Sequence, residues 1–380
     1  MPFYTRILEG FRVSPKGSSQ LGNLQTTLTT IVKPVEADVD IVAIHGLNPV
    51  NLEGQASSTW TAGDKLWLQD FLPEKAPRIR VLLFGYNSNV AFSTATAGVR
   101  EVAENLLNLL ASQRDDPYRP LIFVCHSLGG LVVKRAIVHA RSDETYETIR
   151  TSIRGLAFFS TPHRGGNNVG YGDTAARVAR FVLGNPENTF MEALKGDSLF
   201  ADSMADDFRQ RLLDFKIISF YETRPYGNFG LVVNKHSATL GLPGSHEKQI
   251  ALNANHRHMC KFESAEDPIY QQVEINLLEM IQDAASYRQW PPTGRAMISK
   301  MGINGAVPPR TGNVAIVAGD DNLTHQAGRH NQSNTEGYSN MTRQLGDSNL
   351  SAVIGRGNRT DQFESGQGLS LETIKLFFER

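Results

Sequence analysis

The chain has few cysteines, no long apolar run and no surplus of either charge, and each shortage removes a class of protein. Two cysteines in 380 residues, Cys125 and Cys260, cannot build a disulfide framework and read as inert buried thiols. No apolar run reaches the roughly 18 residues of a membrane span. The N-terminal stretch "MPFYTRILEGFRVSP" lacks the apolar core of a secretory signal. A soluble, cytoplasmic protein is the expectation that follows. Lys and Arg number 38 against 39 Asp and Glu, so no whole-chain basic footprint argues for nucleic acid. Neither a cofactor nor a metal is expected.

What is present is enough apolar material, 40% of residues, for one large core or one core with an appendage. "VDIVAIH" (39–45), "IRVLLFGY" (79–86), "LIFVC" (121–125), "GLAFFS" (155–160) and "KIISFY" (216–221) read as buried strands, short and rich in Val, Ile and Phe. Helical spacing separates them: Val99, Val102, Leu106, Leu107 and Leu110 share one face, as do Leu131, Val132, Ala136 and Ile137. Strands without strict alternation, divided by helices, imply a mostly parallel sheet with helices on both faces. A further helix starts where Asp267 can cap and Pro268 fits the first turn, and it is expected to end near Tyr287.

The stretch "LIFVCHSLGGLVVKRAIVHA" (121–140) runs a buried strand into Ser127 and then directly into a helix. A serine hydroxyl needs a base, an acid to orient that base, and donors for the developing oxyanion. A tight strand-to-helix turn lifts the serine above the sheet edge and aims the first helical N–H groups at the reacting oxygen. Such a turn needs small residues two before and two after the serine. Gly129 meets the second requirement, and Cys125 stands where glycine is usual.

In an α/β-hydrolase the acid and then the histidine follow the serine along the chain. Glu222 ends the strand "KIISFYE" at the carboxyl edge, where parallel sheets place functional groups, whereas Asp214 precedes that strand. For the base, His256 and His258 share the loop "LNANHRHMCKF" after the strand-like "KQIALNA", and His236 and His246 are also available. The oxyanion donors are expected to be the backbone N–H of Leu128 and that of Leu47, which follows the strand end His45-Gly46. A helical insertion at 167–214, with Val178, Phe181 and Val182 on its apolar face, is expected to form a lid or acyl-binding wall.

In order along the chain, "DIVAIHGLNP", "TWTAGDKLWLQDFLPEKAPRIRVLLFGYNS", "FVCHSLGGLVVKRAI", "GLAFFSTPHRGG", "ISFYETRP", "VVNKHSATLGLPG" and "NHRHMCKF" resemble the fungal serine esterase/lipase-like domain. That domain often precedes nucleotide-binding NLR-like (STAND) receptors and is related to the SERAC1 and GPI-deacylase hydrolases. The resemblance covers roughly residues 36–285. It implies an α/β-hydrolase with Ser127 as nucleophile, Glu222 as acid and His256 as base. It also implies an ester or lipid substrate, in an effector of incompatibility or cell-death signalling that meets a membrane surface once activated. Asn255 departs from the family pattern, which usually has Asp there.

The expected organisation is an N-terminal extension at 1–36, the hydrolase domain at 37–287, a linker at 288–310 and a tail at 311–380. The tail is rich in Gly, Asn, Ser and Thr, too polar to build a core, and is expected to be disordered in the monomer. Within it "GDDNLTHQAGRHN" (319–331) aligns with "GDSNLSAVIGRGN" (346–358). Stacking of these two pseudo-repeats would set Leu323 on Leu350 and Asn322 on Asn349. The tail resembles the prion-like amyloid signalling motifs of the HET-s type. That likeness implies self-assembly and an NLR-like receptor with a matching motif as partners. Leu371, Ile374, Leu376 and Phe377 near the C-terminus are apolar enough to dock on a partner or to close the stacked tail.

Overall fold

The computed structural model describes residues 26–47, 55–93, 96–163, 171–184, 208, 215–288 and six five-residue segments between 314 and 363. A seven-stranded sheet organises the first part. Its strands are β1 (Thr27–Val32), β2 (Val39–Ile44), β3 (Ile79–Gly85), β4 (Leu121–His126), β5 (Ile153–Phe159), β6 (Lys216–Glu222) and β7 (Glu247–Leu252). They lie in the order β1-β3-β2-β4-β5-β6-β7. Every pairing is parallel except β1 on β3.

Every residue of β2 and of β5 is buried, because helices cover both faces. On one face Val42, Ile44, Phe123 and Phe158 pack with α1 (Thr96–Gln113) and α2 (Gly129–Ser142). On the other, Ile41, Ala43, Val124 and Phe220 pack with Trp60, Trp67 and α4 (Pro268–Arg288). The Asp267 carboxylate caps α4 by accepting the N–H of Ile269 at 2.7 Å. This is the α/β-hydrolase arrangement. β1 lies within the segment read as an N-terminal extension. Its burial is confined largely to Leu28, so six residues with one inward apolar side chain gave little strand signal.

At the amino edge of the sheet a buried carboxylate gathers three guanidinium groups. Asp40 accepts from Arg80 Nε at 2.9 Å, Arg114 Nε at 3.0 Å and Arg119 Nη1 at 3.0 Å. No described helix is long and apolar enough to cross a membrane.

Composition led to the expectation of a disordered tail, yet its described residues form six strands. These are β8 (Val314–Ala318), β9 (Leu323–Ala327), β10 (Gln332–Glu336), β11 (Met341–Leu345), β12 (Leu350–Ile354) and β13 (Arg359–Phe363). They make two parallel three-stranded sheets, β8-β10-β12 and β9-β11-β13. The strands begin nine residues apart, with Gly319, Gly328, Gly337, Gly346 and Gly355 at one position of the unit and Asn322, Asn331, Asn340, Asn349 and Asn358 at another. Alternate units share a sheet, so Leu323 stands opposite Met341, and Leu350 opposite Gln332. The expected stacking of Leu323 on Leu350 is therefore corrected: the two lie in different sheets. The C-terminal apolar segment lies outside the described residues.

Candidate active site

Ser127 sits directly beyond β4 with φ of 52°, one of two non-glycine residues with positive φ among those described. The turn is held by its neighbours' lack of side chains. A Cβ on Gly129 would lie 2.2 Å from the His45 carbonyl oxygen, and one on Gly46 would lie 2.8 Å from the Ser127 Cβ. Gly130 is similarly closed by Thr161. The Ser127 N–H donates to the Phe159 carbonyl at 2.9 Å, which pins the turn to β5. Cys125 is fully buried in the core, and burial pushes its thiol pKa up, as expected of an inert residue; Cys260 behaves the same way.

The structure brings Ser127, His256 and Glu222 together. The Ser127 hydroxyl lies 2.9 Å from His256 Nε2, and His256 Nδ1 lies 3.2 Å from Glu222 Oε1. Because an ionised carboxylate only accepts, Nδ1 carries the hydrogen and Nε2 offers its lone pair to the serine hydroxyl. Glu222 Oε1 also accepts the Val233 N–H at 2.7 Å, and the Glu222 N–H donates to Ser160 Oγ at 3.2 Å. Glu222 Oε2 is buried and accepts no hydrogen bond among the described residues.

His258 is separated from this line by its own loop. It is exposed, and its Nδ1 meets Asn255 Oδ1 at 2.9 Å. That oxygen also accepts the N–H groups of Arg257 and His258. An acceptor is all this turn requires, so Asn255 serves where Asp is usual. His236 is exposed on a short helix, and His246 lies in the turn before β7, at the opposite edge of the sheet.

Leu128 follows Ser127 at the start of α2, and Leu47 follows Gly46. Neither backbone N–H donates a hydrogen bond among the described residues. His45 supports this corner: its ring stacks on Tyr86 with centroids 4.3 Å apart, and its carbonyl accepts the Tyr86 hydroxyl at 2.8 Å. Desolvation holds its pKa down at about 4, so the ring is neutral beside the site.

Of the insertion, α3 (Tyr171–Leu183) and Phe208 are described. Val178 is buried in the core, and Val182 is half-buried against it. Phe181 sets its ring edge-on to His256 at 5.7 Å and also meets Tyr226 and Phe229. Arg177 fastens the helix to the loop after β6 through the carbonyls of Phe229 (2.7 Å) and Leu231 (3.1 Å).

Two contributors escaped the sequence reading. Ser160 holds the Glu222 backbone from a φ of 41°, a conformation that its residue type does not announce. His126 reaches the His256 carbonyl at 3.0 Å; its adjacency to Ser127 was the available signal.

Residues 38–170 match the family model described as "Putative serine esterase (DUF676)". The chain is similar to Protein SERAC1 of Bos taurus, 27% identical over 277 residues, which is 66% of this chain and 39% of that protein. It is similar also to Protein SERAC1 of Homo sapiens, 26% identical over 282 residues, with the same shares of 66% and 39%. The chain thus spans about two-fifths of the length of the curated relatives it matches. Among solved structures, the mature lipase BlEst2 of Bacillus licheniformis aligns at TM-score 0.39 and 17% identity, covering 67% of this chain and 98% of that one. A soluble variant of monoglyceride lipase from Saccharomyces cerevisiae aligns at TM-score 0.41 and 13% identity, covering 69% and 92%. These likenesses support a serine esterase/lipase-like domain within the chain.

Proposed function

We propose that the chain is a serine ester hydrolase in which Ser127 is the nucleophile, His256 the general base and acid, and Glu222 the orienting carboxylate. The supporting observation is the unbroken line Ser127 Oγ, His256 Nε2, His256 Nδ1, Glu222 Oε1, with contacts of 2.9 Å and 3.2 Å. His256 takes the hydroxyl proton as Oγ attacks the ester carbonyl carbon. The N–H groups of Leu47 and Leu128 receive the oxyanion. The imidazolium, stabilised by Glu222, then protonates the departing alkoxide, and water repeats the sequence to release the acid.

Lipid esters fit best. Ser127 and His256 are each 1% exposed, so the cover formed by α3 has to shift before an ester enters. Phe181, Tyr226 and Phe229 then line an apolar approach to the serine, suited to an acyl chain. The test is a fluorophosphonate probe and a short p-nitrophenyl ester. Labelling and hydrolysis are expected with the wild type, with a loss on the order of 10³-fold or more in Ser127→Ala. Residual activity within tenfold of wild type refutes the nucleophile.

We further propose that the tail controls this activity as an effector's assembly segment, templated by an NLR-like receptor with a matching motif. The two sheets end on strands paired on one side only among the described residues, β8 and β12 in one, β9 and β13 in the other. Continuing the register would set β8 of a second chain on β12 and β9 on β13, placing His325 opposite Asp361. Ile354→Lys is expected to block thioflavin-positive fibres with ~4.7 Å strand spacing. Wild-type protein that stays monomeric when seeded with receptor-motif fibres refutes this control.

A further inference from the structure

We infer that His126 is a positioning residue for the base: its ring ties the peptide of His256 to the strand that carries the nucleophile. It has this role only if Ser127, His256 and Glu222 act as a triad. His126 ends β4, opposite Phe159 of β5, and so is fixed by the centre of the sheet. Its Nε2–H donates to the His256 carbonyl oxygen at 3.0 Å, across 130 residues of sequence. Among the described residues this is the only hydrogen bond made by the backbone N–H or C=O of His256.

The rest of that loop is held from elsewhere. The Ala254 carbonyl accepts from the N–H groups of Thr223 and Arg224, beyond β6, and Asn255 caps the turn that follows. Those contacts anchor the flanks of His256. His126 anchors its own peptide, and it does so from the residue next to Ser127. One side chain thereby sets the separation of base and nucleophile.

The chemistry of the ring fits this task. A carbonyl only accepts, so Nε2 carries the hydrogen and the donor is neutral imidazole. The two rings are 5.0 Å apart. A charged donor at that distance would oppose the imidazolium that His256 becomes during turnover. Desolvation and then the neighbouring His256 lower the His126 pKa to about 3, so it bonds without charge.

The test is kinetic, on a soluble short-chain ester, with active sites counted by a phosphonate burst. In His126→Phe, kcat per active site should fall roughly 10- to 100-fold with KM within about twofold, because small displacements of a catalytic group carry costs of that order. His126→Gln, a neutral donor, should recover kcat to within about fivefold of wild type. His126→Lys, a charged donor, should stay as low as Phe. A merely structural role would lower the count of active sites and leave kcat per site alone. A His126→Phe value within twofold of wild type overturns the inference, as does equal kcat in the Gln and Lys variants, a comparison that holds even if Phe fails to fold. Ser127→Ala separates the two levels: if that variant is active the triad falls, whereas if it is dead and His126→Phe is unchanged, only the role of His126 falls.

Discussion

Replacing Glu222 by Gln isolates the charge of the acid from its geometry. Glu222 Oε1 accepts both the His256 Nδ1–H at 3.2 Å and the Val233 N–H at 2.7 Å, and an amide oxygen can keep both. The His256 tautomer is therefore retained. What disappears is the attraction between carboxylate and imidazolium as the transition state forms. For charges ~4 Å apart at an effective dielectric of ~20 this is about 4 kcal/mol, or roughly 10³ in rate at about 1.4 kcal/mol per tenfold. The amide dipole keeps part of it, so kcat should fall about 10²- to 10³-fold with KM nearly constant. The new amide N–H groups replace Oε2, which has no partner among the described residues, and a buried unsatisfied donor costs about 1–3 kcal/mol of stability. Steady-state kinetics per titrated active site, paired with a thermal melt, read both effects. A kcat within fivefold of wild type would mean that Glu222 is not the acid, whatever its distance from His256.

His256→Ala should match the loss in Ser127→Ala, while His258→Ala, whose ring bonds to Asn255, should stay within a few-fold of wild type; the same ester assay distinguishes them. Asp40→Ala removes the buried carboxylate shared by three guanidinium groups, leaving Arg80 and Arg119 only Asp115 as an ion-pair partner among the described residues, and should destabilise by about 3–5 kcal/mol, read by denaturant unfolding, with a loss under 1 kcal/mol counting against the cluster. Lys134 is 2% exposed, with Nζ over the rings of Phe158 and Phe208, and burial lowers its pKa from 10.5 to about 7. Between those values the unfolded chain binds the extra proton, so stability should rise with pH from about 7 towards 10.5. Lys134→Met should flatten that rise, and identical melting-temperature profiles against pH would refute it.

The Ser127 turn was legible because a tight turn restricts its neighbours: the absence of a side chain at Gly129 follows from the His45 carbonyl that fills the space. Glu222 was legible from its place at a strand's carboxyl edge. The choice between His256 and His258 was not, because two residues of one loop share every local signal. The fold turns one ring to Ser127 and the other to Asn255. Ser160 was invisible for a different reason: its contribution is a backbone angle. β1 was missed because an edge strand with one buried side chain, Leu28, has almost no periodicity. In the tail, composition outweighed pattern. Its repeat is neither the two of a strand nor the 3.6 of a helix but nine, and a match across three units, 319–331 with 346–358, concealed the unit itself.

The nine-residue spacing of the tail strands also constrains how its gene can change length. Loss of a single unit, by slippage during replication, would transfer every later strand to the opposite sheet. Loss of β11, for instance, would move Leu350 from Gln332 to Leu323 and Arg359 from Met341 to Gln332. Loss or gain of two units would leave each strand in its own sheet and alter only the number of rungs. Length variants that differ by two units should therefore keep each strand in its own sheet, whereas odd changes re-sort every later strand.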